Sequence, residues 1–190
     1  MPGTVKGSVV SAAYDHIRET YGADIWARMM ERLSAEDREV VKTAANNPRY
    51  PVAVDGRVFA AFVAEAFGGD RLVAEREMRK AGAAQADVML KGIFSVFTRL
   101  ASPRQAFLRT GSIVTSIYTD VTHETKESEG GRGGVVILRG LVDMPYVAPW
   151  HCGWIECALK HFGSQSPRVI EQSWVAGRNA SDELVYEVTF

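Results

Sequence analysis

The sequence predicts an α+β protein in which an N-terminal helical layer packs on a C-terminal four-stranded antiparallel sheet. Apolar residues recur at helical spacing as far as residue 117, and β-branched runs follow from residue 118 onward. The later runs form two hairpins on either side of one helix-like segment. We therefore expect a single domain of 190 residues, with a helical part at about 5–117 and a sheet part at about 118–190.

The composition is that of an ordinary globular protein. Apolar residues make up 46% of the chain, and 22 basic against 23 acidic side chains leave a net charge of −1. This balance argues against a nucleic-acid binder, which carries an excess of basic residues. No apolar run approaches the roughly 20 residues that span a bilayer. The two cysteines, Cys152 and Cys157, are five residues apart in one predicted helix, so their side chains point in different directions and cannot form an intrahelical disulfide. We therefore expect reduced thiols and a cytoplasmic location.

The first helices are indicated by their start and stop signals. Helical spacing covers residues 8–21 and ends at Gly22. Asp24 is expected to cap the second helix. Ser34, with Asp37 three residues later, resembles a capping box that opens the third.

The middle of the chain predicts longer helices. Asp55 is expected to cap a helix that ends at Gly68-Gly69. The segment Asp70–Ala101 continues with Gly82 and Gly92 as its weakest helical positions, which would suit either a kink or a close helix approach across an interface. Ser102-Pro103 then starts one further helix, with serine as the cap and proline in the first turn.

The C-terminal part predicts the sheet. Its strand-like runs are Tyr118–Thr125, Val135–Val142, Arg168–Val175 and Leu184–Phe190. A glycine-rich turn at 130–134 joins the first two runs. Between the hairpins, Trp150–Phe162 has helical spacing and ends at Gly163.

Aromatic residues on two of these helices are candidates for the wall of a ligand pocket. Trp150 and Trp154 are four residues apart and lie along one edge of their helix, preceded by Tyr146. Phe94 and Phe97 belong to an apolar run around Gly92 that would suit a lipophilic cavity or a dimer interface. Plain core packing explains the same stripes, because aromatic residues at helical spacing usually pack against sheets.

Four metal-binding residues lie within eleven positions, His151, Cys152, Cys157 and His161, but they do not predict a metal site. Cys157 and His161 are four residues apart and share a helix face. Cys152 lies about 140° away from Cys157 around the helix, so it cannot join the same tetrahedron. Because a structural zinc site takes four ligands, no metal is predicted here. No motif in the chain identifies a reaction, and we expect a protein that is not an enzyme.

Short motifs along the chain resemble an uncharacterised bacterial family, the myxobacterial paralogous family of unknown function. They are Lys6-Gly7, Tyr21-Gly22 with Trp26, Leu33-Ser34-Ala35-Glu36-Asp37-Arg38, Tyr50-Pro51, Arg99-Leu100-Ala101-Ser102-Pro103, Gly153-Trp154-Ile155-Glu156 and the closing hairpin. The plan is also similar to the ligand-binding superfamily of NO signalling and Golgi transport. That superfamily includes haem NO-binding domains, vinyl-reductase-type domains and small subunits of vesicle-tethering transport particles. The resemblance implies an apolar pocket between helices and sheet, and binding rather than turnover.

The chain departs from the superfamily where haem and metal would be held. Haem sensors carry a Tyr-x-Ser-x-Arg triplet, and the stretch compared with it here is Tyr146-Val147-Ala148-Pro149-Trp150, which lacks the serine and the arginine. His123 is the nearest counterpart of a haem ligand, but its neighbourhood is charged. The cysteine pair of vinyl-reductase-type domains is replaced by Ser173 and Leu184. We therefore predict no cofactor and disfavour haem.

Three functions remain open at this point. The favoured one is a regulatory or sensory domain that binds a small apolar or amphipathic molecule and relays its presence to a protein partner. The alternative is a ligand-free adaptor that forms a homodimer in the manner of the vesicle-tethering subunits. The least favoured is a haem-based gas sensor that uses His123.

Overall fold

A computed structural model describes residues 3–91, 101–141, 144–172, 174–175, 178–179 and 183–190. The helices are α1 Gly7–Tyr21, α2 Ala23–Arg32, α3 Ala35–Lys42, α4 Val52–Phe67, α5 Arg71–Lys91, α6 Pro103–Leu108, α7 Thr110–Ile117 and α8 Val147–His161, with a short 3-10 helix at Ala44–Asn46. The strands are β1 Thr4–Val5, β2 Tyr50–Pro51, β3 Thr122–Glu127, β4 Gly133–Arg139, β5 Arg168–Glu171, β6 Trp174–Val175, β7 Arg178–Asn179 and β8 Glu183–Thr189. Helices come first and the main sheet last, as the sequence predicted.

The main sheet has four antiparallel strands in the order β3-β4-β8-β5. The two predicted hairpins therefore join along β4 and β8, which are the central strands. Val136 lies opposite Tyr186, and Leu138 lies opposite Leu184. All four side chains are buried in the same hydrophobic cluster as residues of the helical part. The predicted α+β arrangement is confirmed, and alternate residues of the central strands face the helices.

A second, two-stranded sheet ties the start of the chain to the boundary between helices and sheet. Strands β1 and β2 pair antiparallel, and Val5 also forms a bridge with Tyr118. The Lys6 N–H donates to the Ile117 carbonyl at 2.9 Å. The sequence did not predict these strands, because two residues are too few to show an alternating pattern.

Several predicted helix ends are confirmed. Gly22 follows α1 with φ 87°, a value that favours glycine. The Ser34 side chain accepts a hydrogen bond from the Asp37 N–H at 3.0 Å and caps α3. Ser102 and Gln105 form a reciprocal capping box at the start of α6.

Other helix predictions were wrong. Asp24 lies inside the first turn of α2, where Gly22 is the N-cap. The fourth helix begins at Val52, so Asp55 is not its cap but a buried residue of its first turn. The helix expected after Ser102-Pro103 is divided at Arg109 into α6 and α7.

Helices α5 and α8 cross with their backbones in direct contact. A Cβ atom added to Gly82 of α5 would lie 2.0 Å from the carbonyl oxygen of Trp150, and one added to Gly153 of α8 would lie 1.8 Å from that of Arg79. Each helix thus places one glycine against the backbone of the other. Gly82 thus serves a close helix approach within the chain, and the approach across an interface stays a prediction. Gly92 lies outside the described residues.

Within the ranges described above, no helix combines the length and the apolar character that crossing a membrane requires.

Candidate functional site

A narrow apolar cavity lies between the helices and the sheet. Its walls come from α1, α5, α7, β4 and α8, and its volume is about 40 Å³. The apolar lining includes Val114, Val136, Leu138, Trp150, Trp154 and Ile155. The half-buried members of the lining are on α7 and at Trp154, so the cavity is least enclosed on that side.

Among the described residues, one buried polar group in this wall lacks a partner. Gln85 of α5 is 2% exposed, and its Nε2 donates to the Val9 carbonyl at 2.6 Å. That bond fixes the orientation of the amide, because only the NH₂ end donates. The other end, Oε1, is buried and accepts no hydrogen bond from any described residue. Leaving such an acceptor unpaired costs roughly 1–3 kcal/mol, so this atom is a ready acceptor for a ligand donor.

A buried histidine contributes a second polar group to the wall. The Nε2 atom of His151 lies 3.3 Å from the Tyr118 hydroxyl, and its Nδ1 atom lies 2.9 Å from the Tyr186 hydroxyl. Burial lowers the pKa of His151 to about 4 and raises the pKa of both tyrosines. The imidazole is therefore neutral at neutral pH, and both of its nitrogens are engaged.

The aromatic candidates predicted from the sequence fall in three places. Trp150 and Trp154 line the cavity. Tyr146 is the N-cap of α8, with φ 66°, and packs half-buried against the main core instead of lining the cavity. Phe94 and Phe97 lie outside the described residues. A role of any of these side chains in binding stays a prediction.

The histidine considered as a haem ligand lies elsewhere. His123 is exposed on the edge strand β3, and its ring lies over Gly111 of α7, where a Cβ atom would meet the imidazole. The side chain is not part of the cavity wall.

Sequence reasoning missed the two polar wall residues. Gln85 lies one helical turn after Ala81 and directly before Ala86, and both alanines are buried. A polar residue on such an apolar helix face was the available signal that Gln85 is buried. In the sequence, His151 stands out only as a member of the group of metal-binding residues. Its position next to Trp150, at the start of an apolar helix, was the available signal for its burial.

An open groove lies on the other side of α8, between α5 and β5. Its volume is about 560 Å³, and its lining includes Leu72, Arg76, Arg168 and Ile170. Leu72 is 68% exposed and Ile170 is 37% exposed. This groove therefore presents apolar side chains to solvent, unlike the enclosed cavity.

Comparisons with known proteins agree on the fold. No protein-family model matches the sequence, and no curated protein matches it. The Fe(II) unliganded H-NOX protein from K. algicida superposes with a TM-score of 0.71 at 12% identity, and a point mutant of it with 0.72 at 14%. A Cs H-NOX variant that carries 4-cyano-L-phenylalanine gives 0.64 at 15%. Each match covers 97% of this chain and at least 95% of the other, so the chain has an H-NOX-like fold.

Proposed function

We propose that the protein is a non-enzymatic sensory domain that binds a small, mainly apolar molecule carrying one hydrogen-bond donor. The observation that carries the proposal is the Oε1 atom of Gln85, which lies in a mostly apolar cavity and has no hydrogen-bond partner among the described residues. A mostly apolar wall with a few polar groups is typical of a small-molecule site. The H-NOX-like fold supports a binding role by analogy, since fold alone does not determine function.

The size of the cavity limits the ligand. A volume of about 40 Å³ is far below the roughly 300–1,000 Å³ of drug-sized sites. The ligand in this proposal is therefore either a molecule of a few atoms or one that displaces part of the wall. Trp154 and Ile113 are half-buried, and we infer that a larger ligand enters by moving these side chains.

Haem does not fit the residues of this cavity. All four histidines lie within the described residues, and only His151 lines the cavity. Iron would need a free ring nitrogen, whereas both nitrogens of His151 are bound to tyrosine hydroxyls. Addition of haemin to the purified protein is therefore expected to give no Soret band of a bound haem. Such a band that disappears in a His123→Ala variant would overturn this part of the proposal.

A matched pair of probes tests the ligand class. Phenol and toluene have similar shapes, but only phenol has a hydroxyl that donates to Gln85. We expect phenol to bind more tightly than toluene in NMR titrations, with the largest shifts at Trp150 and Trp154. The preference should disappear in Gln85→Leu and persist in Gln172→Leu, which changes an exposed glutamine.

Two results would contradict the proposal. One is equal affinity for the two probes, and the other is a set of shifts spread over the surface and unaffected by Gln85→Leu. Native mass spectrometry of freshly purified protein gives an independent test, because a resident ligand would add a defined mass to the chain.

Relay to a protein partner, membership of the myxobacterial paralogous family and a cytoplasmic location belong to the same proposal. The free thiols of Cys152 and Cys157 favour a reducing compartment. The relay would be supported if phenol changed the affinity of the protein for a partner captured from the native host.

A ligand-free homodimeric adaptor is the second candidate. It is favoured by the exposed Leu72 and Ile170 in the groove beside β5. Sedimentation velocity at high concentration should then show a dimer that Leu72→Arg dissociates. A strict monomer would remove this candidate.

A further inference from the structure

Three metal-ligating side chains meet at one end of the contact between α5 and α8. Asp87 comes from α5, and Cys157 and His161 come from successive turns of α8. Their candidate ligand atoms all lie within 4.8 Å of one another. His161 Nε2 lies 2.9 Å from a carboxylate oxygen of Asp87. All three residues are half-buried, so the cluster is neither sealed in the core nor fully solvated.

We propose that Asp87, Cys157 and His161 bind a zinc ion and leave its fourth position open to water or to an external ligand. Thiolate, imidazole and carboxylate are the three donor types that zinc uses in proteins. Calcium and magnesium take oxygen ligands almost exclusively, and a site with one sulfur and one nitrogen donor selects against them. Three protein ligands with an open position are typical of reactive or exchangeable zinc, whereas purely structural zinc takes four.

The geometry requires only small side-chain movements. Zinc bonds of about 2.0–2.3 Å place neighbouring donor atoms roughly 3.3–3.7 Å apart. The candidate atoms lie within 4.8 Å of one another, so the widest pair would have to approach by about 1 Å, whereas His161 Nε2 and the Asp87 oxygen, now 2.9 Å apart, would have to separate slightly. Cys157 and His161 already share a helix face because they are four residues apart. We expect rotation about side-chain bonds to supply these movements.

The two helices hold the donors in place before any ion arrives. Gly82 and Gly153 bring the backbones of α5 and α8 into contact, which fixes Asp87 relative to the two ligands on α8. Lys91 donates to the second carboxylate oxygen of Asp87 at 2.7 Å. This outer contact orients the carboxylate, and the hydrogen bond from Lys91 keeps the pKa of Asp87 below its usual value.

An ion pair between Asp87 and His161 accounts for only part of the cluster. It explains the contact at 2.9 Å, but it does not require a thiol within reach of both groups. Among the residues that the structure describes, this is the one group of three or more such side chains with ligand atoms so close together. The inference is independent of the cavity, because none of the three side chains lines it.

Zinc titration of the full, reduced and metal-free chain tests the proposal. We expect about one zinc ion per chain by calorimetry, and a loss of affinity of at least about tenfold in Cys157→Ala, in His161→Ala and in Asp87→Asn. Cys152→Ala and His16→Ala are the matched controls, since neither residue belongs to the cluster, and both should bind zinc like the unchanged protein.

Cobalt substitution identifies the donor set directly. Cobalt should give the near-ultraviolet band of a cobalt–thiolate bond in the unchanged protein and in Cys152→Ala, but not in Cys157→Ala. Zinc should also raise the thermal unfolding midpoint of the unchanged protein and leave that of Cys157→Ala in place. Absence of stoichiometric binding, or equal binding by all variants that melt like the unchanged protein without metal, would overturn the proposal.

Discussion

Arg79 of α5 and Glu156 of α8 form an ion pair that also binds both backbone polar groups of Val169. The Arg79 guanidinium donates to the Val169 carbonyl at 2.8 Å, and the Val169 N–H donates to the Glu156 carboxylate at 2.9 Å. Val169 lies in β5, an edge strand of the main sheet. The pair therefore occupies hydrogen-bonding groups that an edge strand would otherwise offer to another chain.

Glu156→Ala is expected to lower the free energy of unfolding by about 2 kcal/mol, because the Val169 N–H and Arg79 both lose a partner. Urea denaturation measures the change. Lys160→Ala, an exposed substitution on the same helix, is the control and should change the stability little. Equal effects of the two substitutions would show that the contact to β5 contributes nothing.

Asp55 predicts a stability that depends on pH. The carboxyl is buried and accepts a hydrogen bond from the Tyr14 hydroxyl at 2.9 Å, and burial raises its pKa from 3.8 to about 7. The folded protein thus holds this proton more tightly than the unfolded chain. The contribution of Asp55 to stability is complete below pH 4 and is lost as the pH rises through 7.

Asp55→Asn should remove this pH dependence, because the amide mimics the protonated carboxyl. Chemical denaturation at a series of pH values between 4 and 8 measures it, and Asp24→Asn, an exposed substitution, is the control. The prediction fails if Asp55→Asn and the unchanged protein lose the same free energy of unfolding between pH 5 and pH 8.

His151 should act in the opposite direction. Its folded-state pKa of about 4 lies below the ordinary 6.5, so the unfolded chain takes up a proton first as the pH falls. Its contribution to stability is complete above pH 6.5 and is lost as the pH falls through 4. In histidine NMR spectra we expect a ring resonance, assigned by its absence in His151→Gln, that does not shift between pH 8 and about 5. A resonance of His151 that titrated near 6.5 would show that the ring is not buried as described.

Gly82→Ala tests the crossing of α5 and α8. In an open helix this substitution stabilises by about 1 kcal/mol, because alanine has the higher helix propensity. Here the added methyl group would lie 2.0 Å from the Trp150 carbonyl oxygen, so α8 must move and the free energy of unfolding should fall by several kcal/mol. The reverse control is Ala83→Gly, half-buried on the same helix, which should cost about 1 kcal/mol. A stabilised Gly82→Ala protein would rule out the backbone contact.

The order of elements could be predicted from the sequence because local signals mark it. Gly22, Ser34 and Ser102 each terminate or begin a helix through their own backbone or side-chain geometry. The strands of the two hairpins are likewise marked locally, by runs of β-branched residues. Such signals depend on neighbours in the chain and need no knowledge of the folded state.

The site depended on distant contacts that no local pattern contains. The sequence predicts Asp55 as a helix cap, but its carboxylate is buried and accepts a hydrogen bond from Tyr14 of α1. Glu156 has Lys160 one turn away on the same helix, yet its partner is Arg79, 77 residues distant in sequence. In the same way, no local pattern links Asp87 to Cys157 and His161, because only the crossing of α5 and α8 brings the three side chains together.

The crossing of α5 and α8 at Gly82 and Gly153 also has a consequence for three other side chains of α5. This helix carries three polar side chains on neighbouring turns. Arg79 contacts the edge strand β5, Gln85 lines the cavity, and Asp87 lies beside Cys157 and His161. The two backbones cannot move closer together at this crossing. A displacement of α5 along its axis would therefore shift all three side chains together.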